Sequence, residues 1–249
     1  KGEFPKLRIN IRTRNPDLVE RDPTFAELNG PIGFCHLSFE YLGLVDSKAA
    51  QTNVLALSLN EVGIRDYTYR AKVFLSAEEI EHARRRFPAT EKPLVSINVM
   101  SKELTKVWEL DRWRELVARL QAAFTVFQIG DDKEPVFPGV ISFAGKLNKR
   151  ESMAVLSQAK VHIGPDSFLM HAANGLDVPS VILYGGSRPA ACLGYEANEN
   201  LYVQIECAPC WLHTTKGEFC PYEMKCMKMI SVEDVHSAVL RQSRRSHAQ

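Results

Sequence analysis

The stretch VHIGPDSFLMHAANGLDVPSVILYGG, residues 161–186, decides the fold class of this chain. It begins with an apolar run at residues 161–163 and turns at Gly164-Pro165. Asp166-Ser167 then predicts the start of a helix. A proline-bounded exit leads into the apolar residues 181–184, which stop at a Gly-Gly pair. Strand, turn, helix and strand in this order predict one parallel βαβ unit.

The start of the predicted helix suits a phosphate group. The first N–H groups of a helix lack partners within the helix and carry a partial positive charge. His171 follows Ser167 by four residues, so its ring can face the same cleft. The segment therefore predicts a nucleotide-diphosphate site, and a plain helix cap at Asp166-Ser167 is the alternative.

Composition limits the classes of protein that the chain can belong to. Its 249 residues can hold one large or two small domains. Because 31 Lys+Arg balance 30 Asp+Glu, there is no overall positive field for nucleic acid. No apolar run approaches the roughly 20 residues of a membrane span, and no signal peptide is visible. We expect a cytoplasmic protein that meets the inner face of the membrane at most peripherally.

Four of the six cysteines lie in one window with the spacing C-x2-C-x9-C-x5-C: Cys207, Cys210, Cys220 and Cys226. A C-x2-C pair followed by two more cysteines suits tetrahedral thiolate coordination of zinc or iron. Two disulfides in an exported protein, or thiols that pack a loop, are the alternatives. We predict one structural metal per chain at these four residues.

Residues 1–90 predict an incomplete Rossmann-like domain. Its elements are a strand at 7–12, a short helix at 17–21, a helix at 46–62 that ends at Gly63, and a strand at 67–75. Ser76 and Glu79 have the spacing of a capping box for a helix that runs to about residue 86. The polar residues 88–93, bounded by prolines, are the candidate linker.

Residues 91–230 predict a second Rossmann-like domain, which carries the predicted nucleotide-diphosphate site. Residues 231–249 predict a C-terminal helix and tail. Strands are predicted at 94–98, 126–129, 140–143, 161–163 and 181–184, and helices at 111–124, 148–159 and 232–241. Strands that alternate with helices of this length predict a parallel sheet covered on both faces.

Three loops follow the carboxyl ends of the predicted strands, where open parallel sheets bind ligands. The first supplies hydroxyls and a lysine, from Ser101, Thr105 and Lys106. The second, residues 130–134, supplies an acidic group suited to ribose hydroxyls. The third is the helix start at Asp166-Ser167. Together they could hold a nucleoside diphosphate, with Lys106 opposing the phosphate charge. A solvated loop lysine is the alternative for Lys106.

These residues also carry a family resemblance. The C-terminal half resembles glycosyltransferase family 9, the lipopolysaccharide heptosyltransferases. The family's K-x-W-P-x-x-x-W stretch is matched by residues 106–113, and its G-x-D-[ST]-G-x-x-H signature by residues 164–171. Its G-x-P-x-V-x-L-[FY]-G continuation is matched by residues 177–185. Many members end a cysteine cluster with C-P…C-M, as Cys220-Pro221 and Cys226-Met227 do here.

The resemblance covers residues 93–240 well and residues 1–88 loosely, and it implies the GT-B fold of two facing Rossmann-like domains. It implies an inverting transfer of a sugar, such as heptose from ADP-heptose, to the lipopolysaccharide core or a protein acceptor. No catalytic metal is needed. The cysteine cluster also resembles the autotransporter heptosyltransferases, which modify proteins and bind iron, and an oligomer is compatible with this.

The resemblance assigns roles to individual residues. Lys106 would bind the donor diphosphate and Glu134 the ribose. Asp166, Ser167 and His171 would surround the phosphates and the transferred sugar. We therefore predict Lys106, Asp166 and His171 as catalytic. The predicted donor-binding set is Ser101, Thr105, Lys106, Glu134, Asp166, Ser167, Phe168 and His171. Lys106 and the helix start would stabilise the charge that builds on the departing diphosphate.

Some positions depart from the family pattern. Phe168 replaces the glycine of D-[ST]-G, so a bulky side chain stands where the backbone would approach phosphate most closely. Glu109 replaces the proline of the lysine–tryptophan stretch, and Asp177 replaces the first glycine of the continuation.

The family's Gly-Asp-x5-Pro loop, whose Asp serves as general base for the acceptor hydroxyl, has no counterpart here. His36 and Glu40 are the nearest substitutes, but a structural or surface role is the commoner one for both. The general base is therefore unassigned. The alternative function is a nucleotide-sugar-binding or assembly subunit without catalysis. A UDP-sugar 2-epimerase is a weaker hypothesis, against which the lysine–tryptophan stretch argues.

Overall fold

The computed structural model describes residues 10–25, 27–29, 53–61 and 63–245. Strands β1 (Asn10–Ile11) and β2 (Glu27–Leu28) form a small parallel pair. The main body is a six-stranded parallel sheet. Its strands are β3 (Leu94–Ile97), β4 (Thr125–Gln128), β5 (Ile141–Ser142), β6 (Val161–Pro165), β7 (Ser180–Tyr184) and β8 (Glu199–Tyr202).

The strand order of the large sheet is β5-β4-β3-β6-β7-β8, and every neighbouring pair is parallel. The chain builds outward from β3 to β5, then returns to lay β6 on the other side of β3. Val95 is paired with Val161, and Ile97 with Ile163. β3 and β6 therefore form the switch point of the sheet, where doubly wound folds bind ligands. The predicted α/β class with a parallel sheet is confirmed.

Helices cover both faces of this sheet. They are α1 (Val54–Glu61), α2 (Ala77–Arg84), α3 (Leu110–Leu120), α4 (Lys149–Leu156), α5 (Phe168–Gly175), α6 (Ala190–Leu193), α7 (Lys225–Lys228) and α8 (Val232–Ser243). The predicted helices at 111–124, 148–159 and 232–241 correspond to α3, α4 and α8. Within the part of the chain that the structure describes, no helix is long and apolar enough to cross a membrane.

Alternating side chains on the strands pack into separate apolar clusters on the two faces of the sheet. On β4, Val126 packs in the core that contains Trp113 of α3 and Val235 of α8. The next residue, Phe127, packs on the opposite face with Met153 of α4. Because both faces of the central strands are buried, these strands have continuous apolar sequences rather than alternating ones.

Capping boxes fix the starts of three helices, as the sequence predicts. The Ser76 hydroxyl accepts a hydrogen bond from the Glu79 N–H at 3.2 Å, and the Glu79 carboxylate accepts one from the Ser76 N–H at 2.7 Å. Asn148 with Glu151 caps α4, and Ser231 with Asp234 caps α8, in the same reciprocal way. Such a cap contributes about 1 kcal/mol to helix stability.

Two of these capping carboxylates also tie α2 to α4. Arg150 of α4 binds Glu79 at the start of α2, and this hydrogen bond lowers the pKa of Glu79 to about 2. In the opposite direction, Arg86 after α2 binds the Glu151 carboxylate at 2.7 Å. The helix that precedes the linker is therefore fixed to the large sheet by reciprocal ion pairs.

The predicted strand at 67–75 is wrong. This part belongs to an extended connecting segment, residues 64–76, which has no strand partner within the described residues. Val73 and Leu75 pack instead against the core that contains Leu169 of α5, and the Val73 N–H donates to the Gly175 carbonyl at 3.2 Å. The Ala71 N–H donates to the Asn174 side chain at 2.9 Å. An alternating pattern predicts one buried side, and here a helix rather than a strand buries it.

Other predictions for the first 90 residues have mixed outcomes. The helix predicted at 17–21 is only the 3-10 turn Pro16–Leu18. α1 lies within the predicted helix at 46–62, and Gly63 after it has a left-handed φ of 77°. β1 lies within the predicted strand at 7–12, of which residues 7–9 lie outside the described residues, as does the start of the helix at 46–62.

A buried histidine predicts an acid-sensitive fold. His162 on β6 has no exposed surface, its Nδ1 contacts the Ser96 hydroxyl at 3.1 Å, and burial lowers its pKa to about 3. Below the unfolded-state pKa of about 6.5, the unfolded chain therefore binds a proton that the folded chain does not. We expect His162 to reduce the free energy of unfolding by about 1.4 kcal/mol per pH unit as the pH falls from 6.5 to 5.

Urea unfolding of wild type, His162→Gln and the exposed-site control His82→Gln measures this effect. The dependence on pH should be shallower in His162→Gln and unchanged in His82→Gln. Equal slopes for all three proteins would exclude His162 as the cause.

Candidate functional site

An ion pair marks the carboxyl edge of the sheet at its switch point. Lys106 ends the 3-10 turn Leu104–Lys106 that follows β3, and Asp166 directly follows β6. The Lys106 Nζ lies 2.7 Å from Asp166 Oδ2 and 3.2 Å from the Asp166 carbonyl oxygen. Their side chains are only 12% and 5% exposed. The lysine is therefore fixed at the strand ends rather than solvated in a loop.

A glycine allows the Lys106 loop to lie against β7. A Cβ added to Gly185, directly after β7, would collide with the carbonyl oxygen of Thr105. Thr105 itself is buried, and its hydroxyl has no hydrogen-bond partner among the described residues. Ser101, earlier in the loop, accepts a hydrogen bond from the Glu103 N–H at 3.2 Å. This packing fixes the position of Lys106 relative to the end of β7.

The two tryptophans that follow Lys106 anchor the other side of the loop. Trp108 and Trp113 are buried edge to face, with ring centroids 5.4 Å apart. The Trp108 indole N–H donates to the Ile230 carbonyl at 3.0 Å, just before α8. The tryptophans are thus structural, and they keep the loop at the strand ends.

Ser167 does not act as a plain helix cap. Its side chain makes no capping hydrogen bond, and its hydroxyl donates instead to Asn98 Oδ1 at 3.2 Å. The N–H groups at the start of α5 therefore do not donate to the Ser167 side chain. Phe168, the first residue of α5, is 39% exposed, so its ring lies at the surface beside this helix start.

Glu134 is held by several donors of its own chain. Its Oε1 accepts from Asn98 Nδ2 at 2.6 Å and from the Met100 N–H at 3.0 Å. Its Oε2 accepts from the Val99 N–H at 3.0 Å and from Gln128 Nε2 at 2.9 Å. Burial raises the pKa of Glu134, and these hydrogen bonds oppose that rise. Glu134 thus ties the ends of β3 and β4 together, and its contact with a ribose stays a prediction.

His171 lies one turn along α5, close to the ion pair. Its Nδ1 is 2.8 Å from the Tyr195 hydroxyl. Burial lowers the pKa of His171, the Asp166 charge raises it and the Lys106 charge lowers it. The imidazole is therefore within electrostatic reach of both charges. Of the predicted catalytic residues, the structure brings all three together.

The sequence did not indicate a polar cluster beside this site. Glu103, just before Lys106, accepts hydrogen bonds from both Thr214 and Thr215 and contacts His213 at 3.4 Å. Burial raises its pKa, but the bonds from Thr215 and Thr214 hold it at about 2. The guanidinium of Arg188, after β7, lies 3.4 Å from the His213 ring. The cluster therefore holds residues 213–215, which lie between Cys210 and Cys220, against the loop that carries Lys106 (the lysine loop, residues 98–109).

Comparison with protein families assigns this architecture. The model of glycosyltransferase family 9 (heptosyltransferase) matches residues 48–218, more than half of the chain. The chain belongs to glycosyltransferase family 9. No curated protein sequence matches it.

Solved structures of glycosyltransferases share the fold. The iron-containing dodecameric glycosyltransferase TibC from enterotoxigenic E. coli superimposes with a TM-score of 0.73 at 19% identity, over 97% of this chain and 70% of TibC. E. coli ADP-heptose lipopolysaccharide heptosyltransferase II gives 0.63 at 14% identity, over 97% and 91%. A family-9 protein from Veillonella parvula gives a TM-score of 0.64 at 17% identity. The match includes 90% of this chain but only 65% of the length of that protein.

These likenesses confirm the predicted GT-B type of fold. The backbone conformation explains one departure of this family-9 chain from its family pattern. Asp177, in place of the glycine of G-x-P-x-V, has a φ of 58°. This left-handed conformation favours glycine, and aspartate is among the few other residues that tolerate it. His36 and Glu40, the considered substitutes for a general base, lie outside the described residues.

The cysteines Cys207, Cys210, Cys220 and Cys226 of this family-9 chain form no disulfide within the described residues. Cys226 is buried and its Sγ accepts from the Gly186 N–H at 3.1 Å. Cys220 Sγ accepts from the Met224 N–H at 3.4 Å. The part of the chain described here contains no group of three or more His, Cys, Asp or Glu that could hold a metal ion. The four cysteines are thus not gathered into a metal-binding group in this structure, and a metal there stays a prediction.

Gly185→Ala tests whether the lysine loop depends on its contact with β7. We expect this change to cost about 1–3 kcal/mol of stability, because a methyl group would push the Thr105 backbone away. ADP affinity should fall as well, since Lys106 is the next residue. Urea unfolding and calorimetric titration with ADP measure the two effects.

Gly186→Ala is the matched control. Its new Cβ would lie 3.1 Å from Cys226 Sγ and 3.2 Å from the Ala208 Cβ, so its neighbours need to move by only a few tenths of an ångström, whereas a Cβ at Gly185 would overlap the Thr105 carbonyl oxygen. Equal losses of stability and ADP affinity in the two variants would show that the Thr105 contact has no special role.

Proposed function

We propose that this chain is an inverting glycosyltransferase. It would bind ADP-heptose as the donor and transfer the heptose to a saccharide or protein acceptor. The observation that carries the proposal is the buried Lys106–Asp166 pair at the switch point, beside the start of α5 and His171. Family membership supports glycosyl transfer as the reaction class. The names of two solved relatives, one a heptosyltransferase and one a glycosyltransferase, support the same class.

The ion pair fits the charge that such a reaction develops. When the sugar leaves, negative charge builds on the diphosphate, and a fixed cation stabilises it more than it stabilises the substrate. Asp166 holds the Lys106 ammonium in place before the donor arrives, so little reorganisation is needed. The N–H groups at the start of α5 add partial positive charge. This chemistry requires no catalytic metal.

The ribose would approach Glu134. Each of its two oxygens already accepts two hydrogen bonds, so a ribose hydroxyl would have to replace one of them. Asn98 Nδ2 is the partner most suited to exchange, because it also lies 3.4 Å from the Met100 carbonyl oxygen and would keep that acceptor. The acceptor is a lipopolysaccharide core saccharide or a protein at the inner face of the membrane. An oligomer is compatible with this function, since TibC is described as dodecameric.

Replacing Lys106 tests donor binding. We expect Lys106→Ala to bind ADP roughly tenfold to a hundredfold more weakly, because a charge-assisted hydrogen bond is lost and Asp166 then repels phosphate. Lys102→Ala is the control, since Lys102 is an exposed lysine of the same loop. Calorimetric titration gives both affinities, and circular dichroism checks the fold. Equal ADP affinity of wild type and Lys106→Ala would remove Lys106 from the site.

Turnover separates the enzyme from a non-catalytic subunit. With ADP-heptose and a panel of saccharide and protein acceptors, the proposal requires acceptor-dependent release of ADP that Lys106→Ala diminishes. Binding of ADP without turnover on any acceptor would support the alternative, a nucleotide-sugar-binding or assembly subunit.

We also propose one structural zinc or iron per chain at Cys207, Cys210, Cys220 and Cys226. The support is their C-x2-C spacing and the N–H groups that donate to Cys220 and Cys226, since such donors often accompany metal-bound thiolates. Protein purified without added metal should contain one metal per chain by elemental analysis. Cys226→Ser should lose it, whereas Cys192→Ser, outside the cluster, should retain it. Absence of both metals from wild type would end this proposal.

A further inference from the structure

His171 has a buried partner that the donor site does not account for. The Tyr195 hydroxyl lies 2.8 Å from His171 Nδ1, and the two rings meet edge to face with centroids 5.6 Å apart. Tyr195 is 5% exposed and follows α6 by two residues. The contact occupies one nitrogen of the imidazole and leaves the other for a ligand.

A second tyrosine braces the first. Tyr69 stacks on Tyr195 with centroids 4.6 Å apart and an interplanar angle of 16°. Its hydroxyl also donates to the Leu193 carbonyl at 3.0 Å, a contact separate from the ring stacking. Aromatic pairs of this kind hold both rings in one orientation.

Tyr69 belongs to the connecting segment, residues 64–76, which runs along the end of α5. A Cβ added to Gly175 would lie 2.8 Å from the Val73 side chain, so the segment lies directly on the helix that carries His171. Arg70 adds an ion pair with Asp177 after this helix. The part of the chain before the linker is therefore in contact, through Tyr69 and Tyr195, with the donor-site histidine.

The chemistry of the contact selects one form of the imidazole. Burial lowers the pKa of His171, so the ring is neutral at pH 7 and carries one N–H. A phenol hydroxyl is the more acidic donor, and donation from Tyr195 to Nδ1 leaves the proton on Nε2. An Nε2–H can donate to a phosphate oxygen, whereas a lone pair there would repel the anion.

We propose that Tyr195 is a positioning residue, braced by Tyr69, that holds His171 in the Nε2–H tautomer for donation to the donor diphosphate. This inference rests on the proposed function for its ligand. Tyr195 does not touch the ligand itself and acts only through His171.

Nitrogen-15 NMR of histidine-labelled protein without ligand tests the tautomer directly. Wild type should show a protonated Nε2 and an unprotonated Nδ1 for His171, and Tyr195→Phe should show mixed tautomers. Tyr184→Phe is the matched control, because Tyr184 is a buried tyrosine of the same core whose hydroxyl contacts Met170 instead. Tyr69→Leu should also mix the tautomers, whereas Tyr69→Phe keeps the stacked ring and should not. An unchanged tautomer in Tyr195→Phe would overturn the proposal.

ADP titration shows whether Tyr195 acts through His171. Tyr195→Phe should bind ADP roughly two- to tenfold more weakly, the effect of one hydrogen bond. In a His171→Ala background the same change should have no further effect. An undiminished effect in that background would overturn the proposal. If His171→Ala binds ADP like wild type, the donor-site role of His171 fails, and the ligand-free NMR result still decides whether Tyr195 controls the tautomer.

Discussion

The parallel pairing of β3 with β6 is the constraint on which the site depends. The chain leaves β3 towards one side of the sheet and returns to the other, so the carboxyl ends of these strands meet without a strand between them. Lys106 and Asp166, which follow the two strands, can then form a buried ion pair across 60 residues of sequence. A slip of one residue in β6 would turn Asp166 away from the lysine.

This arrangement suits binding of an anion more than stability. A buried ion pair offsets much of its own attraction by the desolvation of both charges, so it contributes little to folding. It does keep a cation at a fixed point that a phosphate can share. The surrounding contacts serve the same end, because Glu134 fixes the ends of β3 and β4 while Gly185 lets the Lys106 loop lie close to β7.

Sequence patterns predicted the elements whose causes are local. Apolar runs gave five of the six strands of the large sheet, and capping residues such as Ser76, Asn148 and Ser231 gave the helix starts. The edge strand β8 lacks an apolar run, since half-buried positions there accept polar residues such as Asn200. The alternating residues 67–75 indicated one buried side correctly, but α5 buries it rather than a neighbouring strand.

By itself, the sequence determined where five strands and most of the longer helices lie along the chain, and it singled out Lys106, Asp166 and His171 as candidate site residues, because strand ends, helix starts and motif spacings are set by neighbouring residues. Only the tertiary structure decided which hydrogen-bond partners the site residues have. It engages both oxygens of Glu134 with donors from its own chain, and it joins His171 to Tyr195. Such contacts join residues far apart in the chain, and their partners are fixed by strand order and packing, which no local pattern records.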